Sequence, residues 1–418
     1  MSVDAQLEAI VGAEGVGELG ALPGVPVAAP ADESQAAALV ALARSDRLPF
    51  ALCGLGGKFG WTLLVQQPRF LLSTRRLTGL VEFEPGDGVL TARAGTTLAE
   101  LHEATAPHGL AITPDIARPS AATLGGVIGA GQSGPDRLAN GPTRLHVLGT
   151  RTLQLDGATT KSGGKLVKNV SGYDVHRALT GGCGSLALVL EASLRLALAP
   201  EATLVLSQSF DGLQPALSAA REVRTARVSP HSLTLESSVG TTACRLHVVL
   251  AGRTAHVQLE RERLCAALPS AEVTDGDAAR ARAGELRDLE PDGHEHLAVR
   301  VTASPSRLAA AAGELFDCLP PGHEARLVAQ PGLATLDLEL PNGTGVSELQ
   351  EWTERLPLLR AALRPLGALV SLRLPQPGTA ELVDDSADPV RVALQERLRA
   401  TFDPDRLLCT RPALGGLR

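Results

Sequence analysis

The sequence predicts an α+β protein in three parts: a glycine-rich α+β domain over residues 1–200, a second α+β domain over 201–385, and a C-terminal helix and tail over 386–418. Three observations carry this. At 418 residues the chain is longer than one hydrophobic core holds. Three glycine-rich stretches, starting at Gly54, Gly125 and Gly181, each lie beside an apolar run within the first 200 residues. From about residue 201 glycine thins and strand-like runs alternate with amphipathic ones, as in Leu336-Asp337-Leu338-Glu339-Leu340, whose alternation predicts one buried and one wet face.

The elements follow in order. Asp32 with Gln35 three residues on reads as a capping box, and Leu39, Leu42 and Ala43 keep one face of the helix apolar. Pro49 to Cys53 reads as a short buried strand running into Gly54-Leu55-Gly56-Gly57-Lys58. A strand that ends in a glycine loop bearing a Lys presents open backbone N–H groups, the chemistry that cradles a phosphate, although a plain turn has the same composition. Val81 to Phe83, the turn at Pro85 to Gly88, and Val89 to Ala94 make a hairpin. Thr97 with Glu100 opens a helix that Pro107 and Gly109 stop.

Five glycines within ten residues from Gly125 argue against a helix or strand interior unaided and for backbone lying flat against a large planar or anionic ligand. Gly129 to Gly134 satisfies G-x-G-x-x-G, with Asp156 near the place of a ribose-binding acid. A nicotinamide-binding reading is weakened because no clean strand precedes these glycines, and Asp156-Gly157 reads better as a hairpin turn. Val175 to Leu179 is a short helix, Ser185 to Ala197 a long strand, and Asp388-Pro389 opens a last helix that ends at Phe402-Asp403-Pro404.

Composition excludes several classes. A net charge of −7 with 2% aromatics does not suit a general nucleic-acid binder. The six cysteines stand far apart with no C-x-x-C pair, which removes the familiar zinc and iron–sulfur spacings. Together with a polar, acidic start from Met1 to Ile10, they predict free thiols and a cytoplasmic setting. No apolar run approaches the ~20 residues that span a bilayer, so membrane association would come through partners. Only four lysines occur against 35 arginines, and Lys161, Lys165 and Lys168 share one window with the sole Tyr, Tyr173.

Pro114-Asp115, Ala122-Thr123-Leu124-Gly125-Gly126, Lys168-Asn169-Val170-Ser171-Gly172-Tyr173-Asp174 and Gly184-Ser185-Leu186, in this order, resemble the FAD-binding half of the vanillyl-alcohol-oxidase/PCMH flavoprotein superfamily. Within it, Ser133-Gly134-Pro135 and the Phe402-Asp403-Pro404 tail are similar to the FAD-binding subunits of bacterial glycolate oxidases. The resemblance implies a PCMH-type FAD-binding domain of two α+β subdomains followed by a smaller ferredoxin-like α+β cap. It also implies an oxidoreductase that takes a hydride from a small 2-hydroxy acid onto FAD. Electrons would pass to an iron–sulfur subunit in a complex that also holds a homologous flavin subunit.

Carried onto this chain, the resemblance makes Gly54, Leu55, Gly56, Gly57 and Lys58 the pyrophosphate loop. Thr123, Gly125, Gly126, Gly131, Gln132 and Ser133 would line the pyrophosphate and isoalloxazine, Gly184 and Leu186 the adenine end, Asn169 and Tyr173 would support the wall, and Pro114 counts among the cofactor-binding positions. Relatives that attach FAD covalently carry a His in the loop; Lys58 stands here, which implies a dissociable flavin. The metal-binding His-x-Gly-Asp-Gly-Asn-x-His pattern of self-sufficient 2-hydroxy-acid enzymes is missing, and His294-x-His296 reads as a surface pair. No metal is expected and no catalytic base stands out. That lack also suits a non-catalytic electron-relay subunit. Asp136 replaces the family's Arg after Ser-Gly-Pro, with Arg137 beside it.

Overall fold

The computed structural model describes residues 1–20, 22–113, 115–165, 172–238, 241, 243–290, 297–319, 324–340, 346–373 and 389–412. The chain divides into two compact units: Met1–Gln132, Pro142–Leu198 and Gln376–Leu417 form the first, and Ser133–Gly141 and Ala199–Pro375 the second. The short piece Ser133–Gly141 thus leaves the glycine-rich region in which the sequence places it.

In the first unit, α1 (Val3–Val11) and α2 (Glu33–Ser45) cover a sheet of β1 (Val16–Gly17), β2 (Val27–Ala28), β3 (Phe50–Cys53) and β5 (Phe70–Ser73), with β4 (Thr62–Leu64) outside it. The order is β1-β2-β5-β3, and β2 and β3 both run parallel to β5. Asp32 caps α2 by accepting the Gln35 N–H at 2.8 Å, while Gln35 returns its side chain to Ala31 and not to the cap residue. Phe50 and Phe70 stack at 5.2 Å beneath Leu39, Val40 and Leu72.

The second layer of this unit is antiparallel. The strands β6 (Leu80–Glu84), β7 (Val89–Arg93), β9 (Val147–Leu153), β10 (Thr159–Gly163) and β11 (Leu188–Arg195) follow the order β10-β9-β11-β7-β6. A two-stranded ribbon, β8 (Leu110–Ala111) with β12 (Ala197–Leu198), flanks it. The helix α3 (Leu98–Thr105) opens on a complete capping box from Thr97 and Glu100. Asp156 shapes the β9–β10 turn by accepting the Ala158 N–H at 2.9 Å, with Gly157 at a φ of 88°. Asp156 therefore serves the turn.

The expectation of non-helical backbone after Gly125 is corrected: Leu124–Ala130 is a helix, α4. Thr123 caps it by accepting the Gly126 N–H, and Gly131 ends it in the left-handed region. The glycines serve packing. A Cβ on Gly125 would lie 2.9 Å from the Ala94 Cβ, so only a residue without a side chain lets α4 settle onto the end of β7.

The second unit holds α5 (Arg137–Asn140) and an eight-stranded antiparallel sheet; α6 (Val175–Leu179) belongs to the first unit. In chain order its parts are β13 (Ala202–Asp211), α7 (Leu213–Thr225), β14 (Ser232–Ser238), β15 (Ala243–Gly252), α8 (Thr254–Ala267), β16 (Glu272–Asp275) and α9 (Gly276–Asp288). They continue with β17 (Leu297–Thr302), α10 (Leu308–Asp317), β18 (Arg326–Gln330), β19 (Thr335–Leu340), α11 (Val346–Leu363) and β20 (Leu369–Arg373). The sheet order β16-β13-β15-β14-β18-β19-β17-β20 is two βαββαβ units, each in ferredoxin-like order, joined by the β14–β18 pair. The second unit is thus a duplicated ferredoxin-like fold.

The wet face expected for Leu336 to Leu340 is also corrected. Asp337 is 0% and Glu339 5% exposed. Asp337 takes Arg300 in a two-point pair at 2.6 Å, and Glu339 takes Arg326 Nε at 2.8 Å. Buried carboxylates persist here because a guanidinium faces each from a neighbouring strand.

The last elements, α12 (Pro389–Phe402) and β21 (Thr410–Pro412), return to the first unit. Phe402 packs on Leu179, Leu186 and Ala187, and β21 pairs antiparallel with β4. Among the described residues no helix is long and apolar enough to cross a membrane.

Candidate functional site

A cleft in the first unit, about 850 Å³ including its open mouth, is built by three backbone segments. One is the end of β3 with the loop Gly54 to Lys58. The second is the start of α4 with Thr123, Gly125 and Gly126, and the third runs from Gly182 to Val189 into β11. The segments interlock. Cys183 N–H donates to the Gly129 carbonyl at 2.8 Å and Gly181 N–H to the Ile128 carbonyl at 2.9 Å, which ties the third loop to α4. Gly184 sits at a φ of 68° with Leu52 directly against the place of a Cβ, so glycine is required there twice over.

The donors divide unevenly. In the first turn of α4, Leu124 N–H goes to the Thr96 carbonyl, Gly125 N–H to the Ala94 carbonyl and Gly126 N–H to Thr123 Oγ1, so these groups serve the fold. In contrast, among the described residues the backbone N–H groups of Leu55, Gly56, Gly57, Gly184 and Leu186 have no hydrogen-bond partner within the chain. Lys58 is the one charged side chain among the described lining residues. The rest of the wall is apolar: Leu52, Phe59, Leu179, Leu186 and Val189 among others. Amides left without a partner in the chain are open to a ligand on the cleft side, and an anion is the matching acceptor.

Two thiols line the same cleft. Burial pushes Cys53 and Cys183 up to about 12, so both are protonated at neutral pH and neither is a nucleophile there. Cys183 also adopts a left-handed backbone, with a φ of 50°.

Of the residues singled out from sequence, Gly54, Leu55, Gly56, Gly57, Lys58, Thr123, Gly125, Gly126, Gly184 and Leu186 are brought together on the cleft wall. Gly131 and Gln132 stand behind it: Gly131 packs on Gly181, and the Gln132 amide is 1% exposed without a hydrogen-bond partner among the described residues. Ser133 falls in the second unit. Tyr173 is not brought to the cleft: it is 91% exposed, while His176 and Leu179 of the short α6 that follows are buried. Pro114, Asn169 and the His294-x-His296 pair lie outside the described residues. Among the described residues no cluster of three His, Cys, Asp or Glu side chains could hold a metal. Sequence reasoning missed Thr74, Cys183 and the stretch from Ala187 to Val189, whose cleft positions depend on pairings far along the chain.

Residues 26–163 match the family described as FAD binding domain. The chain is 34% identical over 177 residues to the glycolate oxidase subunit GlcE of Escherichia coli strain K12, covering 42% of this chain and 49% of that one. It is 31% identical over 199 residues to a D-lactate dehydrogenase of Archaeoglobus fulgidus, covering 47% and 44%. The chain thus spans about half the length of the curated relatives it matches. A crystal structure of p-cresol methylhydroxylase superposes with a TM-score of 0.74 at 13% identity, over 99% of this chain and 96% of that one. The fold is therefore that of p-cresol methylhydroxylase, and the cofactor of the domain matched over residues 26–163 is FAD. The cleft suits it: partnerless amides and one cation for phosphates, apolar walls and side-chain-free backbone for the rings.

Proposed function

From a chain that carries a PCMH-type FAD-binding domain, we infer an oxidoreductase acting on a small 2-hydroxy acid such as glycolate, as one flavin subunit of a larger complex. The observation that supports it most is the set of partnerless N–H groups at Leu55 to Gly57, Gly184 and Leu186 around one apolar cleft. In this reading Gly54 to Lys58 hold the pyrophosphate, each charge-assisted bond contributing about 1.5 to 3 kcal/mol. Thr123, Gly125 and Gly126 give the rings a wall without side chains, and Gly184 and Leu186 offer backbone groups at the adenine end. FAD when bound supplies an acceptor for a hydride and a donor of single electrons. A homologous flavin subunit and an iron–sulfur subunit are the partners the reading calls for.

Neither thiol on the wall is set up to attack the flavin and Lys58 replaces the linking His, so the cofactor is held without a covalent bond. A second reading, an electron-relay subunit that binds flavin without turning over substrate, draws on the missing metal-binding motif in the sequence.

The visible spectrum of the purified chain tests the first step. The expected result is a yellow protein that releases its flavin into the supernatant on acid precipitation. A colourless protein that cannot be reconstituted with FAD would sink the proposal, and flavin kept in the pellet would sink the non-covalent part. Anaerobic addition of glycolate to the loaded chain then separates the readings: bleaching supports catalysis here, and an unchanged spectrum supports the relay.

A further inference from the structure

We propose that residues 403–412 are a strap that sets the shape of the cleft, with Thr410 as its positioning residue; this rests on reading the cleft as the FAD site.

The strap holds both legs of the glycine loop. On the leg that enters, Phe50 N–H donates to the Leu407 carbonyl at 2.9 Å and Cys409 N–H donates to the Phe50 carbonyl at 2.9 Å. On the leg that leaves, Val65 N–H donates to the Cys409 carbonyl at 2.8 Å, and β21 pairs with β4 in the register Thr410↔Leu64 to Pro412↔Thr62. The span between those legs is Gly54 to Lys58, so its two ends are clamped to one piece of chain more than 340 residues away.

The same piece reaches the third segment of the cleft. Thr410 Oγ1 donates to the Cys183 carbonyl at 2.8 Å, and Thr410 is fully buried. Cys183 is the residue held at a left-handed φ on the cleft wall, a conformation that is strained for a residue with a Cβ. Its N–H is already committed to Gly129 of α4. The Thr410 hydroxyl therefore holds the carbonyl on the other side of the same residue, so that Cys183 is tied to α4 through its N–H and to the strap through its C=O.

The strap is itself braced. Both carboxylate oxygens of the fully buried Asp403 accept backbone N–H groups, from Leu407 at 2.8 Å and Leu408 at 2.9 Å, and Arg399 Nη2 donates to the Leu408 carbonyl at 2.5 Å. A segment held this firmly carries little slack, so a change at Thr410 is felt at Cys183 and not absorbed in the tail.

The test titrates the flavin-free full chain with FAD, following quenching of flavin fluorescence and the shape of the visible flavin band. Thr410→Val keeps the volume and removes the donor; it should weaken FAD binding about tenfold, the equivalent of about 1.4 kcal/mol. Thr410→Ser should restore parental affinity, and Thr401→Val, an exposed hydroxyl on α12, should leave it unchanged. A lower melting midpoint with unchanged affinity in Thr410→Val, or equal affinities for the Val and Ser variants, overturns the proposal. Should Thr410→Val fail to fold, Thr410→Cys, a weak donor of similar size, takes its place, and parental affinity there also overturns it. Failure of the parent chain to take FAD is a separate outcome that removes the FAD reading of the cleft and the strap's role with it.

Discussion

Gly54 and Thr123 interlock so closely that a methyl group on Gly54 would overlap the Thr123 hydroxyl. That hydroxyl is already engaged, accepting the Gly126 N–H at 3.2 Å as the cap of α4. Gly54→Ala must therefore move either the loop or the cap, and both line the cleft. FAD affinity should fall at least about tenfold, with far-ultraviolet circular dichroism unchanged, as expected when about 1.4 kcal/mol of binding is lost. Parental affinity in this variant would show that the glycine serves only the local turn.

Burial also governs the thiols. Cys53 and Cys183 are raised to about 12 by desolvation, and Cys409 is raised likewise. Since the thiolate is the reactive form, iodoacetamide at about pH 8 should leave these three unmodified in the native chain. Peptide mass spectrometry after brief labelling checks this. Early modification of Cys183 would mean that the cleft opens further than its walls suggest.

His176 gives a pH dependence with a defined sign. Its pKa is lowered, chiefly by burial, against a smaller opposing effect of Asp174 and a further lowering by Arg177. Its Nδ1 lies 3.1 Å from Ser162 Oγ. An imidazole whose folded pKa is below its unfolded value of about 6.5 binds fewer protons when folded. Its contribution is thus full above that pH and is lost as pH falls through the interval down to the folded value. Urea unfolding at about pH 7.5 and 5.5 should show a stability drop that His176→Gln flattens; an identical drop in the variant would assign the effect to other groups.

In the second unit, Arg300 faces Asp337 on the neighbouring strand and also reaches Glu290 at 3.1 Å. Arg300→Met takes the two-point cation from the buried Asp337, a loss of about 3 to 5 kcal/mol by analogy with broken buried pairs. A large fall in the denaturant midpoint is expected. The double variant with Asp337→Leu should recover part of it, and no recovery would mean that the pair is not the source.

Much of the local structure was legible because its causes are local. The Thr97 and Glu100 capping box, the turn at Asp156-Gly157, the hairpin over Val81 to Ala94 and the short helix at Val175 each depend on groups within a few residues of one another. The glycine loops at Gly54 and Gly184 were legible for a related reason: a backbone that must stay open or take a positive φ admits no side chain.

What the tertiary structure alone decided has distant causes. Leu124 to Ala130 is helical because Thr123 caps it and Ala94 accepts Gly125 in close contact, a neighbour no window of sequence contains. Asp337 and Glu339 are buried because Arg300 and Arg326 approach from adjacent strands, which reverses what alternation alone implies. The duplicated sheet and the strap from Asp403 to Pro412 rest on pairings that close long stretches of chain. Sequence by itself determined which segments could leave amides open for an anion and which composition the cofactor site would have. Only packing decided which amides remained without partners, since each one is spent or left open according to what the fold brings beside it.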